Sequence, residues 1–209
     1  MPHAFTHISE YISRQARLVL RHLRHGRASL GLAASSRKTE ELTALFRVVN
    51  AYLEDCGAEH ALAYGTLLGW HRSQGLLPHD RDVDFSAPES AYPKILAGRA
   101  KLPRGFALHD TSHEHGGPKL YVSYRGWEAD IYFLHEENGL LRHHLFSDLP
   151  GDSKPFPRDY FFPLRPVSFL GEKTYVPAQA LALLTHHYGY IGPDAVLDPV
   201  TKYYRPRHG

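Results

Sequence analysis

Cysteine is all but absent. Cys56 is alone in 209 residues, so no disulfide can close within the chain and no cysteine-rich zinc site can be assembled. A single thiol suits a reducing compartment. Long apolar runs are missing as well. None approaches the roughly 18–20 residues that a helix needs to cross a bilayer, and Met1 to Thr6 lacks the charged start and apolar stretch of a secretory signal. The expectation from these absences is a cytoplasmic protein. Charge of one sign is scarce. A formal balance of +2 has none of the basic excess that marks a nucleic-acid partner, so no nucleic acid is expected. Hydrophobic residues at 43% and charged residues at 22% are the proportions of a folded globule, and the length suits one well-buried domain. Histidine runs against this scarcity. Sixteen of them predict a net charge that climbs as pH falls through about 6.5.

The first periodic segment is Tyr11 to Arg27. On a helix, Ile12, Ala16, Val19, Leu20 and Leu23 share an apolar stripe, while Arg14, Arg17, Arg21 and Arg24 share a basic one. Such a helix suits packing on a protein surface, with its arginines solvated. It also suits peripheral contact with an anionic membrane, here the inner face of the cell membrane. Gly26 to Lys38, rich in Gly, Ala and Ser, reads as a connector, which sets residues 1–38 apart from a catalytic domain over 39–209. A second helix is expected over Thr39 to Asp55, ended by Gly57. A short strand over His60 to Tyr64 and a short helix from Thr66 to Ser73 follow. Next come a strand over Val83 to Ser86 and a helix over Glu89 to Leu102. Phe106–His109, Lys119–Tyr124 and Trp127–Leu134 alternate like strands, with a turn at Arg125-Gly126. Ser147 to Pro166 reads as an irregular loop with aromatic anchors. A hairpin over Val167–Leu170 and Lys173–Val176, turning at Gly171-Glu172, leads into a final helix from Pro177 to Gly189. The fold class is α+β, a mixed sheet flanked by helices, with an N-terminal amphipathic helix.

The most informative stretch runs from Tyr64 to Phe85. Asp80, Asp82 and Asp84 sit two apart, and on an extended chain such residues share a face. Side-by-side carboxylates repel unless a proton or cation lies between them. Mg²⁺ meets that need with one or two carboxylates plus substrate phosphates. In Trp127-Glu-Ala-Asp-Ile-Tyr-Phe133, Asp130 is a polar residue between core residues. If its strand neighbours that of Asp82 and Asp84, it completes a three-carboxylate centre, as a further metal ligand or as the base for an acceptor hydroxyl. A calcium loop of the EF-hand type fails, since Phe85 and Ala91 stand where glycine and glutamate are needed. Gly65-Thr66, between strand and helix, presents backbone N–H groups to a phosphate, although Thr66 serves equally as a plain N-cap. Arg72 is a candidate bidentate phosphate contact or a solvated charge. Lys119 is a candidate phosphate ligand or a surface lysine.

Tyr64-Gly-Thr-Leu-Leu-Gly69, then Arg72, then Gly75-Leu-Leu-Pro-His-Asp-Arg-Asp-Val-Asp84 resembles the LicD family. That family includes bacterial phosphocholine transferases and the human fukutin-related protein. His79 and Arg81 depart from the family's tryptophan and middle aspartate. Phe162-Pro-Leu164, Val167-x-Phe-x-Gly171, Val176-Pro177 and His187-Tyr-Gly189 are similar to its closing segment. The resemblance implies a DNA polymerase β-like nucleotidyltransferase fold, Mg²⁺ or Mn²⁺, and a CDP-activated donor. It implies transfer of phosphocholine or a sugar-alcohol phosphate to a hydroxyl of a cell-surface glycan, as in lipopolysaccharide or capsule biosynthesis. It places Asp82 and Asp84 on the metal, Gly65 and Thr66 on donor phosphates, Asp130 at the third acidic position, and Asp80 beside them. The competing readings are a nucleotide-sugar glycosyltransferase using Asp-x-Asp, a nucleotidyltransferase modifying a small molecule or protein, and a non-catalytic binding module.

Overall fold

The computed structural model describes residues 31–144 and 150–208, so the basic helix expected over 11–27 lies outside the described residues. The chain divides into two compact units, Met1–Glu40 and Glu41–Gly209. Helix α1 covers Gly31–Asp55 and corrects the connector reading from residue 31 onward. Ala33 and Ala34 favour helix, and Ser36 donates to Glu40 one turn on, at 3.2 Å. At the other end Gly57 takes φ 62°, the left-handed conformation that closes a helix.

After α1 come β1 (Ala61–Leu62), α2 (Tyr64–Ser73), β2 (Asp82–Pro88) and α3 (Tyr92–Ala97). Pro93 sits in the first turn of α3, where its missing N–H costs nothing. The helix expected over 89–102 is therefore split, with a 3₁₀ turn on either side of α3. Next are β3 (Phe106–Asp110), α4 (Ser112–His115), β4 (Lys119–Tyr124), β5 (Trp127–Glu137) and β6 (Leu140–His143). The irregular loop expected over 147–166 contains α5 (Pro150–Ser153), β7 (Phe156–Pro157) and α6 (Arg158–Phe161). The chain then forms β8 (Arg165–Phe169), β9 (Glu172–Val176), α7 (Ala180–Tyr188), β10 (Ala195–Leu197) and β11 (Tyr204–Pro206). The β8–β9 turn falls at Leu170-Gly171, both with positive φ, one residue earlier than expected.

Among the described residues the main sheet has seven strands, running β1-β2-β5-β4-β3, with β6 paired to β5 and β7 paired to β6. β2 and β5 are parallel, whereas β4 and β6 flank β5 antiparallel. The sheet is therefore mixed, as expected. Strand alternation gives it two unlike faces. Val83, Phe85, Ala129, Ile131, Phe133, Leu120 and Val122 are fully buried on one face, in a single core with Leu42, Leu45, Phe46 and Val49 of α1. Phe46 stacks on Phe85 with ring centroids 5.9 Å apart. The other face carries Asp82, Asp84, Glu128, Asp130, Lys119 and Tyr121. Among the described residues, no helix is long and apolar enough to cross a membrane.

Candidate active site

The parallel register brings the acidic segments together. Asp84 lies directly opposite Asp130, and Asp82 opposite Glu128. Because paired residues share a face, these four side chains leave the sheet on the same side. Asp80 joins them from the turn before β2. The Leu77 N–H donates to Asp80 Oδ2 at 2.8 Å, and Asp80 Oδ1 points toward Gly65, where an added Cβ would meet it at 3.3 Å and Asp84 Oδ2 at 3.5 Å. Glycine at 65 thus lets the start of α2 lie against the carboxylates.

Asp84 is 7% exposed. Burial, then the charges of Asp82 and Asp130, push its carboxyl well above the ordinary carboxylate range, with Asp80 adding to the push and Lys119 opposing it. Lys119 corrects the surface-lysine reading. Its side chain is 6% exposed, and its Nζ lies 2.6 Å from Asp130 Oδ1 and 3.6 Å from the centre of the Tyr132 ring. Burial draws its ammonium below its usual value, against the pull of Asp130 and Asp84 in the other direction. One lysine therefore faces four aspartates. Among the described residues, no three of these carboxylates have oxygens all within 4.8 Å of one another.

One further expectation changes, and Arg72 gains partners within the fold. Thr66 is 1% exposed, and its Oγ1 accepts from the Asp84 N–H at 2.9 Å. The N-cap of α2 is Ala63, without a side-chain cap bond, so Thr66 neither caps the helix nor offers its side chain to a ligand from the surface. Its hydroxyl is committed to holding β2. Arg72 donates to the Ile191 carbonyl at 2.7 and 3.1 Å and to the Gly192 carbonyl at 2.9 Å. It ties α2 to the chain beyond α7.

A buried aromatic and histidine group beside the acids escaped sequence reasoning. Tyr64 Oη lies 2.8 Å from His143 Nδ1, and His143 Nε2 lies 2.9 Å from Ser86 Oγ. The Tyr64 ring also packs on Tyr132 and His187. Tyr64 takes φ 42°, a conformation that costs a non-glycine residue about 1–3 kcal/mol. Burial foremost, with Asp130 and Asp84 contributing, keeps Tyr132 a neutral phenol. The usable signal was Tyr64 at the head of the glycine motif; His143 required knowledge of β6.

A family model described as "LicD/FKTN/FKRP, nucleotidyltransferase domain" matches residues 57–179. The chain is 27% identical over 157 residues to an uncharacterized protein of Rickettsia typhi, covering 74% of this chain and 47% of that protein. It is 28% identical over 156 residues to the ribitol-5-phosphate transferase FKTN of Mus musculus, covering 69% of this chain and 32% of the mouse protein. The chain thus spans about half or less of these relatives. Among solved structures, the lincomycin-bound lincosamide antibiotic adenylyltransferase LnuA is similar with a TM-score of 0.43 and 15% identity, over 75% of this chain and 89% of that one. The family match covers more than half of the chain, including every acidic residue of the site, and the chain belongs to the LicD/FKTN/FKRP nucleotidyltransferase-domain family.

Proposed function

We propose that this chain transfers a phosphate-linked group, phosphocholine or a sugar-alcohol phosphate, from a CDP-activated donor to a hydroxyl of a glycan, on a DNA polymerase β-like nucleotidyltransferase framework. The observation that carries this reading is the apposition of Asp84 and Asp130 across the parallel β2–β5 pair, with Asp82 and Asp80 alongside. The donor set fits Mg²⁺ or Mn²⁺: oxygen ligands only, one of them deeply buried, and more negative charge than Lys119 offsets. Asp82, Asp84 and Asp130 would hold the ion, with Asp80 beside them. When bound there, it would neutralise charge on the donor diphosphate and on the leaving nucleotide.

The chain's own residues perform the rest. The acceptor oxygen bonds to the donor's distal phosphorus, its proton passes to a carboxylate, and the bond from that phosphorus to the bridging oxygen breaks to release CMP. Asp130 would receive the proton; its Oδ1 accepts from Lys119, which gives the carboxylate one orientation. Gly65 allows the backbone at the start of α2 to approach the diphosphate, where helical N–H groups favour anions. Thr66 and Arg72 position these elements. The relation to the mouse ribitol-5-phosphate transferase favours a sugar-alcohol phosphate among the candidate groups.

The test is CMP release from CDP-ribitol, CDP-glycerol and CDP-choline with Mg²⁺ or Mn²⁺, alongside thermal shifts with each donor and with UDP-sugars, since a ligand that binds the native state raises its melting temperature. A CDP donor is expected to stabilise the protein only with metal present. Asp82→Asn is expected to abolish turnover while leaving the circular dichroism spectrum intact. Near-normal turnover in that variant would reject the assignment.

A further inference from the structure

A second group of metal-ligating side chains lies at the far end of the same two strands. Glu89 follows the last residue of β2, His135 stands in β5, and His144 follows the last residue of β6. Glu89 Oε2 is 2.8 Å from His135 Nδ1 and 3.5 Å from His144 Nε2, and one ligand atom from each residue lies within 4.8 Å of the others. Tetrahedral Zn²⁺, with bonds near 2.0–2.2 Å, sets its ligand atoms about 3.3 Å apart. The two separations from Glu89 bracket that value, and the one between the two imidazoles lies within 4.8 Å.

This group is independent of the aspartate centre. His135 is five residues beyond Asp130 on one strand, which at about 3.3–3.4 Å per residue is roughly 17 Å, and the odd spacing turns it to the opposite face. The donors differ in kind as well. Two imidazoles and one carboxylate suit Zn²⁺, Co²⁺ or Ni²⁺, whereas oxygen-only donors suit Mg²⁺ and Mn²⁺. His144 is also held in place. A Cβ on Gly117 would fall 2.3 Å from its Cγ and Nδ1, so the absence of a side chain at 117 is what admits the ring. The His135 and Glu89 side chains remain 37% and 41% exposed and His144 18%, which leaves an approach for an ion and room for a water ligand.

We propose that Glu89, His135 and His144 form a binding site for one transition-metal ion of the Zn²⁺ class, joining the ends of β2, β5 and β6. The experiment uses the full chain, stripped with EDTA and desalted, titrated with Zn²⁺ against a chromophoric chelator and, separately, with Co²⁺ read by its visible absorption. Wild type and Asp82→Asn are both expected to bind one Zn²⁺, and Co²⁺ to show the intense bands of a four-coordinate site. The double variant His135→Ala, His144→Ala is expected to weaken binding by more than the roughly 10–100-fold typical of losing an outer-shell partner. Should that variant lose its fold in EDTA, Glu89→Gln serves in its place, with weakening of at least about 10-fold. Equal Zn²⁺ affinity in wild type and the histidine or glutamate variant overturns the proposal, as does the absence of uptake by wild type. Loss of binding in Asp82→Asn alone would move the ion to the aspartate centre and overturn it too. Transferase activity enters none of these readouts.

Discussion

Asp84 carries a conflict that its neighbours only partly relieve. Its carboxyl is buried among three other aspartates, and Lys119, the cation opposing them, is bonded to Asp130. The folded chain therefore holds the Asp84 proton more tightly than the unfolded chain, whose aspartates release theirs near pH 3.9. As pH rises through that value toward the raised folded one, the unfolded state binds fewer protons, so stability falls. In EDTA, the melting temperature is expected to decline across this rise, and Asp84→Asn to remove much of the decline. Lys119→Met should steepen it and cost about 3–5 kcal/mol near neutral pH, as expected when one partner of a buried pair is removed. Urea unfolding at stepped pH measures both; a Lys119→Met variant as stable as wild type at neutral pH defeats this account of the charge balance. The aspartates themselves were legible because residues two apart on a strand share a face. The role of Lys119 was not. It depends on a register in which Lys119 opposes Tyr132 while Tyr121 opposes Asp130, making Lys119 a diagonal neighbour of the acid across two strands. Nothing local to Lys119 announces that.

At the scale of elements, the junction of β1, α2 and β2 positions the acids. β1 pairs with β2 only at Ala61–Ser86 and Leu62–Phe85. Beyond it the Ala63 N–H still reaches the Asp84 carbonyl at 3.0 Å, and the Thr66 hydroxyl then accepts from the Asp84 N–H. A side chain from the first turn of a helix has taken the place of a backbone carbonyl in the ladder. Thr66→Val keeps the shape but leaves that buried N–H without its acceptor, at a cost of about 1–3 kcal/mol. Thr66→Ser should retain most of the stability. Chemical denaturation of the two variants decides the matter, and equal losses would mean that the methyl group rather than the hydroxyl matters. Sequence pattern located α2 and β2 to within a few residues, and the long alternating strands β4 and β5 almost completely. It missed β6, β7, β10 and β11, which are short and take their form from distant partners. Leu140-Leu141 reads as a doublet in sequence, yet Leu140 is exposed and Leu141 buried, an alternation visible only once β5 and β7 lie on either side.

Across the whole molecule, histidine departs most from expectation. A chain with sixteen histidines should gain charge steadily below about pH 6.5, yet among the described residues three of them are closed into the fold. Burial is the chief cause that lowers the tendency of His60, His143 and His187 to protonate, in His187 to about 4. His187 accepts no proton readily because its ring is buried against Tyr64, His143 and Phe156, which outweighs the opposite pull of the Gly151 carbonyl 3.1 Å from Nδ1. For these side chains the linkage runs opposite to that of Asp84. Between about 6.5, where the unfolded ring takes up its proton, and about 4, where the folded one does, the unfolded state binds more protons and stability drops on acidification. A difference of that size corresponds to roughly 3 kcal/mol for His187, at about 1.36 kcal/mol per pH unit. His187→Gln, which keeps an N–H for the Gly151 carbonyl, is therefore expected to reduce the loss of stability on acidification between about 6.5 and about 4 by a comparable amount, while leaving unchanged the Asp84 contribution, which begins at about pH 3.9 and has the opposite sign. An acid limb of wild-type steepness in His187→Gln would show that this ring already protonates freely in the fold, and would place the source of acid sensitivity at His60 or His143.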